Sequence, residues 1–428
     1  MTRARRGLGA LALPAFFAIK ILSGLILLKL SSAKLDVAGF AIFSQFFLLS
    51  ALVNMVAVGG AQNGLIRQVA AARESEEAAR ARDAAFLLWI GAALVVGVPL
   101  AIASPWVADL LAGAPALWWM VVAIAALSLI AGPGQIWCAL LTGRGRPAAS
   151  LSAQAIGLVA GTGSAAWMLM QGNALPAVLA FAAGPIVTMA IAGVSQRSES
   201  LGSMALRRAR PDARALLHFS GAFLTVASFT AITLFLLRGV YQDVFGLERL
   251  GYWLTANRIS DTTTQFLALY LLQYFLPGYT AAIVTDEARA RRTLLRSWGF
   301  GVAAMAGFPI VFAIAPAAFV RLFLSPQFYP AIPAILAYMT GDVLRVWAAT
   351  AMQAAFARGR LLGFILIETG TIVLMGAIML ALVAVGNADA PIIAYPVAYG
   401  VTALIASLVY LRGVSRAARD RAPAAPPS

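Results

Sequence analysis

The sequence predicts an all-α polytopic membrane protein, and two observations support this fold class. Of the 428 residues, 61% are hydrophobic and 11% are charged, whereas a soluble domain is roughly half apolar and about a quarter charged. The apolar residues also form blocks of about 20, the length at which a helix crosses roughly 30 Å of hydrocarbon. This composition excludes a soluble globular protein.

Twelve apolar blocks are found with a window of about 19 residues, and we interpret them as twelve transmembrane helices. The first block follows a basic N-terminus, as in a signal peptide, but Lys20 interrupts it and no small-residue cleavage site follows, so we predict an uncleaved helix. The predicted spans are residues 8–30, 37–60, 84–104, 118–140, 150–171, 175–195, 216–238, 250–276, 297–315, 333–356, 361–385 and 391–411.

The net charge of +15 mainly reflects the orientation of the chain in the membrane. Of the 32 basic residues, 24 lie on the side of the two termini, three lie in the opposite loops, and five lie within spans. Because loops rich in arginine and lysine stay in the cytoplasm, both termini are predicted to be cytoplasmic. The three basic residues of the opposite loops are Lys34, Arg249 and Arg321.

Short motifs recur at half the chain length. Arg144-Gly145-Arg146 is repeated as Arg358-Gly359-Arg360, at an offset of 214. Gly39-Phe40, in the second span, is matched by Gly251-Tyr252 in the eighth, at an offset of 212. The basic residues near the ends of spans one and seven, Lys29 and Arg238, are 209 apart. Three similar offsets favour duplication of a six-helix unit over coincidence, with a two-fold axis along the membrane normal.

This duplication predicts two pseudo-symmetric six-helix lobes around a central cavity. The N-terminal lobe comprises residues 1–195 and the C-terminal lobe residues 216–411, with a cytoplasmic linker at 196–215. Residues 412–428, rich in arginine, alanine and proline, are predicted to form a disordered cytoplasmic tail.

Charged residues deep in the spans are the main functional signal, because each costs about 2.5–3.5 kcal/mol at the centre of a bilayer. Lys29 and Arg238 lie near the outer ends of their spans, where their side chains can reach the interface, so we assign them no function. The deep set is Lys20, Arg258, Asp261, Asp342, Arg345 and Glu368.

Two readings of these charges remain open. Arg258 and Asp261, like Asp342 and Arg345, are three residues apart on one helix face and can neutralise each other. Polar residues beside them, such as Tyr338 and Gln265, instead favour a water-filled cavity. Lys20 needs an anion, which is either an acid of a neighbouring helix or a ligand. A basic cavity with Arg67 at its cytoplasmic mouth suits a phosphate, which arginine binds with two hydrogen bonds.

The chain has too few cysteine and histidine residues for several classes of chemistry. Cys138 is the only cysteine and His218 the only histidine. An intramolecular disulfide or a thiolate metal cluster is therefore excluded, and metal catalysis or Ser-His-Asp catalysis is not supported. We predict no cofactor and no metal, and leave open coupling to a proton or sodium gradient through Asp261, Asp342 or Glu368.

A family resemblance is carried by four short motifs. The chain resembles the Wzx-type polysaccharide flippases of the multidrug, oligosaccharidyl-lipid and polysaccharide exporter superfamily, among them the O-antigen and enterobacterial common antigen lipid translocases. The likeness covers essentially the whole chain, although Arg258 departs from the pattern expected throughout the family. The motifs are Phe17-Ala18-Ile19-Lys20-Ile21-Leu22-Ser23-Gly24, Gln62-Asn63-Gly64, Arg258-Ile259-Ser260-Asp261 and Gly341-Asp342-Val343-Leu344-Arg345.

The resemblance implies a transporter, not an enzyme, that moves an undecaprenyl-diphosphate-linked oligosaccharide to the periplasmic leaflet of the bacterial inner membrane by alternating access. It implies a monomer whose partners are this substrate, the bilayer and the polysaccharide polymerase and chain-length machinery, and not nucleic acid. Lys20, Arg67, Arg258 and Arg345 are the expected substrate contacts. Asp261, Asp342 and Glu368 are expected to pair with charges or to couple transport to an ion.

Three alternatives share parts of this pattern. A drug exporter of the same superfamily has the same spans but favours an apolar cavity. A peptidoglycan-precursor flippase is similar in mechanism, but a longer chain with two extra helices is expected for it. A polyprenyl-sugar polymerase or glycosyltransferase needs charged groups on large outer loops, whereas the longest outer loop, residues 316–332, contains no acid and only one basic residue, Arg321.

Overall fold

Helices form all the regular structure of the described residues. The computed structural model describes residues 3–57, 61–72, 74–196, 210–271, 275–358 and 361–419. Ten helices in these ranges are long and apolar enough to cross a membrane. The predicted all-α membrane fold is therefore confirmed.

Two features reconcile these ten helices with the twelve predicted spans. Spans seven and eight lie in one helical segment, Arg210–Tyr270, which bends at Gly246, where φ is 81° and ψ is 169°. The tenth span is the 26-residue helix Ile332–Ala357, in which Asp342 and Arg345 lower the mean hydropathy. The described residues of each predicted span are thus largely helical, and residues 58–60 and 272–274 of the second and eighth spans lie outside the described residues.

In the first half of the chain, the third span contains a π-helical turn at Ala93–Gly97 between α4 and α5, and a 3₁₀ turn at Pro115–Leu117 precedes α7. The helices are α1 (Arg3–Lys34), α2 (Val37–Val56), α3 (Gln62–Ala71), α4 (Ser75–Ala92), α5 (Val98–Ile102), α6 (Ser104–Ala112), α7 (Trp118–Ile130), α8 (Gly132–Gly143), α9 (Pro147–Met170) and α10 (Ala174–Val194).

In the second half, residues 316–332, expected to be a loop, are instead largely helical, with a 3₁₀ turn at Pro326–Ala331. The helices are α11 (Arg210–Tyr270), α12 (Leu276–Thr285), α13 (Glu287–Ile314), α14 (Pro316–Phe323), α15 (Ile332–Ala357), α16 (Leu361–Ala384) and α17 (Ala390–Arg419).

The order of elements repeats along the chain. Helices α3 and α12 have the same length and begin at Gln62 and Leu276, an offset of 214. Helices α9 and α16 also share one length and begin at Pro147 and Leu361, again an offset of 214. Helix α6 and the 3₁₀ turn that follows it correspond to α14 and its 3₁₀ turn at offsets of 212 and 211. The structure therefore repeats its elements at the spacing that the sequence motifs predict.

The chain forms two compact units. One contains Met1–Gly251 together with Val320–Phe328, and the other contains Tyr252–Phe319 and Tyr329–Ser428. In the first unit, Phe43, Phe46 and Met120 lie at the centre of an apolar core. In the second, Phe275, Tyr279 and Leu294 do so. The predicted lobe boundaries at residues 195 and 216 stay a prediction.

Two predicted irregular segments are partly helical. Helix α17 continues to Arg419, so residues 412–419 of the predicted tail are helical, in line with the high helix propensity of arginine and alanine. Helix α11 begins at Arg210, inside the predicted linker. Residues 197–209 and 420–428 lie outside the described residues.

Close packing of α9 against α10 depends on small residues. A Cβ atom at Gly157 would lie 2.0 Å from the hydroxyl oxygen of Thr188 and 2.8 Å from the carbonyl oxygen of Gly184. A methyl group cannot fit there unless backbone atoms move. On the same helix, a Cβ atom at Gly163 would have no neighbour within 4 Å.

We therefore predict that Gly157→Ala destabilises the protein, by about 1–3 kcal/mol, the usual cost of overpacking a close contact. Thermal unfolding in detergent, followed by tryptophan fluorescence, measures the effect. Gly163→Ala is the matched control and should unfold at the wild-type temperature or slightly above. Equal unfolding temperatures for the two variants would contradict the predicted helix contact.

Candidate functional site

Asp342 is the centre of the most developed polar cluster in the second unit. It lies on α15 and is fully buried. Its carboxylate accepts hydrogen bonds from the hydroxyls of Ser260 (2.7 Å), Tyr395 (2.7 Å) and Thr263 (3.2 Å). Ser260 and Thr263 are three residues apart on one face of α11, so both reach the same carboxylate. Three hydroxyl donors thus replace the water that a buried carboxylate loses.

Aromatic rings enclose this carboxylate. The rings of Tyr338 and Tyr395 stack with centroids 4.2 Å apart and an interplanar angle of 12°. The indole nitrogen of Trp253 donates a hydrogen bond to the hydroxyl of Tyr338. Tyr399 packs edge-on against Tyr395, with centroids 4.9 Å apart. All four rings are buried, so they fix the position of the Tyr395 hydroxyl and do not offer a stacking surface to a sugar.

Arg345 lies at the edge of the same cluster. Its guanidinium donates a long hydrogen bond of 3.4 Å to the Tyr395 hydroxyl and lies 5.6 Å from the centre of the Tyr399 ring. No salt bridge joins Arg345 to Asp342 in the described part of the chain; the carboxylate is hydrogen-bonded to hydroxyl donors, and the two groups attract each other without direct contact. Asp261 and Glu368 interact with Arg345 through space.

Four of the seven predicted site residues therefore belong to one electrostatic cluster in the second unit: Asp261, Asp342, Arg345 and Glu368. Arg258 is on the same helix as Asp261, and its carbonyl oxygen accepts a hydrogen bond from Thr262.

The other two predicted contacts belong to the first unit. Lys20, in the middle of α1, has an exposed side chain and makes no hydrogen bond or ion pair with the described residues of its unit. Arg67 lies on α3 and is also exposed. A fixed charge that is exposed and, for Lys20, unsatisfied within its unit is suited to binding an anion.

Sequence reasoning missed the donors of Asp342. Ser260 belongs to a motif quoted for the family resemblance but was given no role, and Thr263 was not considered; their spacing of three is the signal that was available. Tyr395 lies 53 residues from Asp342 in the chain, and no local pattern connects the two.

The structure places Lys29 and Arg238 against other parts of the first unit, and the expectation that they reach the interface stays a prediction. The Lys29 ammonium donates hydrogen bonds to the carbonyl oxygens of Arg321 (2.6 Å) and Leu324 (2.5 Å). Arg238 is buried, with 4% of its surface exposed. Lys29 is therefore hydrogen-bonded to another segment of its unit, and Arg238 is packed inside that unit.

The repeated Arg-Gly-Arg motif has different partners in the two halves. Arg144 donates a hydrogen bond to Gln196 (2.9 Å). Arg358 donates to Glu287 (2.6 Å) and to the hydroxyl of Tyr279 (2.9 Å). Burial lowers the pKa of Arg358, but these hydrogen bonds outweigh burial and raise it overall. Arg144 and Arg358 therefore connect the ends of their helices to neighbouring segments, whereas Gly359 and Arg360 lie outside the described residues.

The arrangement around Asp342 predicts that its carboxylate oxygens stabilise the second unit. Asp342→Leu leaves buried hydroxyls without their acceptor, at about 1–3 kcal/mol for each unsatisfied group. Asp342→Asn keeps one acceptor oxygen and should cost less than half as much. Thermal unfolding in detergent checks this order, with Thr340→Leu, at an exposed position of the same helix, as the control. Wild-type stability of Asp342→Leu would show that the hydrogen bonds contribute nothing.

Solved transporter structures share the fold. A multidrug resistance MATE family transporter of the MOP superfamily matches with a TM-score of 0.75 at 14% identity, over 94% of this chain and 96% of that one. The lipid II flippase MurJ matches with a TM-score of 0.67 at 12% identity, over 95% and 87%. The MATE transporter DinF-BH, in complex with R6G, gives 0.67 at 14% identity, over 95% of both chains. At this identity the likeness shows the fold alone.

Sequence comparison identifies a family, whereas the structural matches show the fold. No functionally curated protein matches the chain significantly. The profile of one family, described as polysaccharide biosynthesis protein, matches residues 35–333, which is more than half of the chain and includes Asp261, Arg258 and the donors on α11. The chain is therefore a member of the polysaccharide biosynthesis protein family, with the fold of the MOP-superfamily transporters.

Proposed function

We propose that the protein is a flippase that moves an undecaprenyl-diphosphate-linked oligosaccharide from the cytoplasmic to the periplasmic leaflet of the bacterial inner membrane. The observation that carries this proposal is a transporter fold in a member of a polysaccharide biosynthesis family. A transporter contributes to that biosynthesis by moving a precursor across the membrane. The fold is shared with a protein described as a lipid II flippase.

The physical barrier to this transport is the diphosphate and the glycan. Both lose their water in hydrocarbon, whereas the polyprenyl tail does not need water. Lys20 and Arg67 of the first unit, and Arg258 and Arg345 of the second, are the proposed contacts of the diphosphate and the first sugars. Basic side chains replace part of the lost hydration with charge-assisted hydrogen bonds.

The acids of the second unit are the proposed coupling groups. Asp342 is enclosed by hydroxyls, and Glu368 is attracted electrostatically by Arg345. Uptake of a proton or a sodium ion by Asp261, Asp342 or Glu368 would change the charge opposed to Arg345. Such a change can couple an ion gradient to release of an anionic substrate.

The remaining parts of the proposal follow from the charge bias and the family. Both termini face the cytoplasm, the chain acts as a monomer by alternating access, and the glycan passes to the polymerase and chain-length machinery. Multidrug export is the second candidate, and it is favoured by the likeness to MATE transporters.

Leaflet transfer in proteoliposomes tests the function. The labelled lipid-linked oligosaccharide is placed in one leaflet, and its appearance in the other is followed with proton, sodium or no imposed gradients. We expect transfer that depends on the protein and rises under one of the gradients. No transfer under any condition would contradict the flippase proposal, and export of R6G without lipid transfer would favour a drug exporter. Glycan polymerisation in the same vesicles would indicate an enzyme.

Lys20→Ala and Arg345→Ala test the proposed contacts in the same assay. Each removes a charge that binds the diphosphate, so we expect transfer to fall about tenfold or more, the loss of one charge-assisted hydrogen bond. Lys34→Ala, at the exposed end of the same helix as Lys20, should transfer at the wild-type rate. Wild-type rates for both variants, at normal protein levels, would exclude these contacts.

A further inference from the structure

Nine residues of the second half pack into the first unit. They are Val320–Phe328, here called the strap. Val320, Leu324 and Phe328 of the strap are fully buried. The ring of Phe328 meets that of Phe40 edge-on, with centroids 5.0 Å apart. The strap is thus docked by its apolar side chains at the end of α1 and the beginning of α2.

Hydrogen bonds join the strap to the end of α1 in both directions. Lys29 of α1 donates to the carbonyl oxygens of Arg321 and Leu324 at the C-terminal end of α14. In return, Ser325 donates to the carbonyl oxygen of Ser32 (2.5 Å). Gln327 donates to the carbonyl oxygens of Ser32 and Leu35, each at 2.7 Å. The last carbonyls of a helix have no partner within that helix, so each of the two helix ends here receives its donors from the other.

A second contact joins α11 to the first half of the chain. A Cβ atom at Gly239 would lie 2.0 Å from a methyl carbon of Leu110, so the two segments touch closely there. The amide of Gln45 donates to the carbonyl oxygen of Leu111 (2.6 Å) and to the side-chain oxygen of Gln242 (3.1 Å). Gln45 and Gln242 are both buried.

The internal repeat relates two contacts, the one between the strap and α1 and the one between α11 and the first half of the chain. Arg238 follows Lys29 at an offset of 209, and α14 follows α6 at an offset of 212. In the first contact, Lys29 near the end of the first span donates hydrogen bonds to the α14 segment of the second half. In the second contact, Gly239 at the end of the seventh span packs against Leu110 of α6, and Gln242 accepts a hydrogen bond from Gln45 of α2 in the first half. We call each of these two contacts a clasp. Each clasp joins segments of two different repeats, at the side that the charge bias predicts to face the periplasm.

We propose that the two clasps form a latch that holds this side of the carrier closed, with Lys29 as its positioning residue. This proposal rests on the alternating access of the proposed function. If the two repeats move as units, segments of different repeats cannot stay joined when that side opens. Both clasps must then open in each transport cycle, and the ammonium of Lys29 is the charged group that closes the first one.

Cysteine labelling tests the latch without transport. Ser325→Cys is introduced after Cys138→Ala, since Cys138 is the only native cysteine, and its reaction with an impermeant maleimide is timed in proteoliposomes without substrate. Lys29→Met should speed labelling about tenfold or more, because it removes two charge-assisted hydrogen bonds. Lys29→Arg keeps the donors and should label at close to the parent rate.

Lys34→Met is the matched control, because Lys34 lies on the same helix end with an exposed side chain. It should not change labelling. An unchanged rate in Lys29→Met, or an equal increase in Lys34→Met, would overturn the role of Lys29. Circular dichroism and unfolding temperature of Lys29→Met at the parent values would show that faster labelling comes from opening and not from misfolding.

A disulfide tests whether the latch must open. Oxidised Ser32→Cys/Ser325→Cys should abolish leaflet transfer, and dithiothreitol should restore it. The control pair is Thr371→Cys/Thr402→Cys, whose hydroxyl oxygens are 2.7 Å apart within the second half, and its disulfide should leave transfer unchanged. Continued transfer with the strap locked would overturn the latch. If faster labelling occurs without leaflet transfer in any variant, the proposed substrate is wrong while the latch stands.

Discussion

The absence of hydrogen-bond partners in hydrocarbon is the constraint on which the rest of this structure depends. A carboxylate in a bilayer must receive its donors from the protein, and Asp342 shows what this requires. Ser260 and Thr263 supply donors from α11, and Tyr395 supplies one from α17. Helices α11, α15 and α17 are therefore held together by one carboxyl group. Arg345 lies at the edge of the cluster, where it donates a long hydrogen bond to Tyr395 and lies over the ring of Tyr399.

The same constraint explains which parts of the molecule could be predicted from its sequence. The length of the apolar blocks predicts where helices cross the membrane, and the described residues of each predicted span are largely helical. The depth of Asp342 and Arg345 was visible because charges are rare in such blocks. The offset between the motifs predicted the repeat of elements. Each of these signals is local or periodic, and so it can be read along the chain.

Contacts between distant segments could not be predicted. The partner of Lys29 lies 292 residues away, and carbonyl oxygens leave no mark in a sequence. The buried position of Arg238 depends on how α11 packs, and the donors of Asp342 depend on a face of α11 that we did not consider. A basic residue near the end of a span therefore does not by itself show whether the side chain reaches the interface or another helix.

Duplication has left the two halves with a common scaffold and different chemistry. Gln154 and Glu368 occupy equivalent positions, at the offset of half the chain length that relates the repeats. Gln154 donates to the hydroxyl of Ser150, whereas Glu368 places a carboxyl group within electrostatic reach of Arg345. The charged cluster thus belongs to the second half, and the first half contributes Lys20. Under the proposed function, binding of the anionic substrate and the response to a coupling ion fall to different residues.

The most direct test of anion recognition is the equilibrium affinity of the purified protein for two lipids that carry the same glycan. One is linked through a diphosphate and the other through a neutral linker. If Lys20 and Arg345 recognise the diphosphate, the charged lipid should bind about tenfold more tightly or better, as expected for one or more charge-assisted hydrogen bonds. Equal affinities would contradict recognition of the diphosphate by the basic residues of the membrane spans.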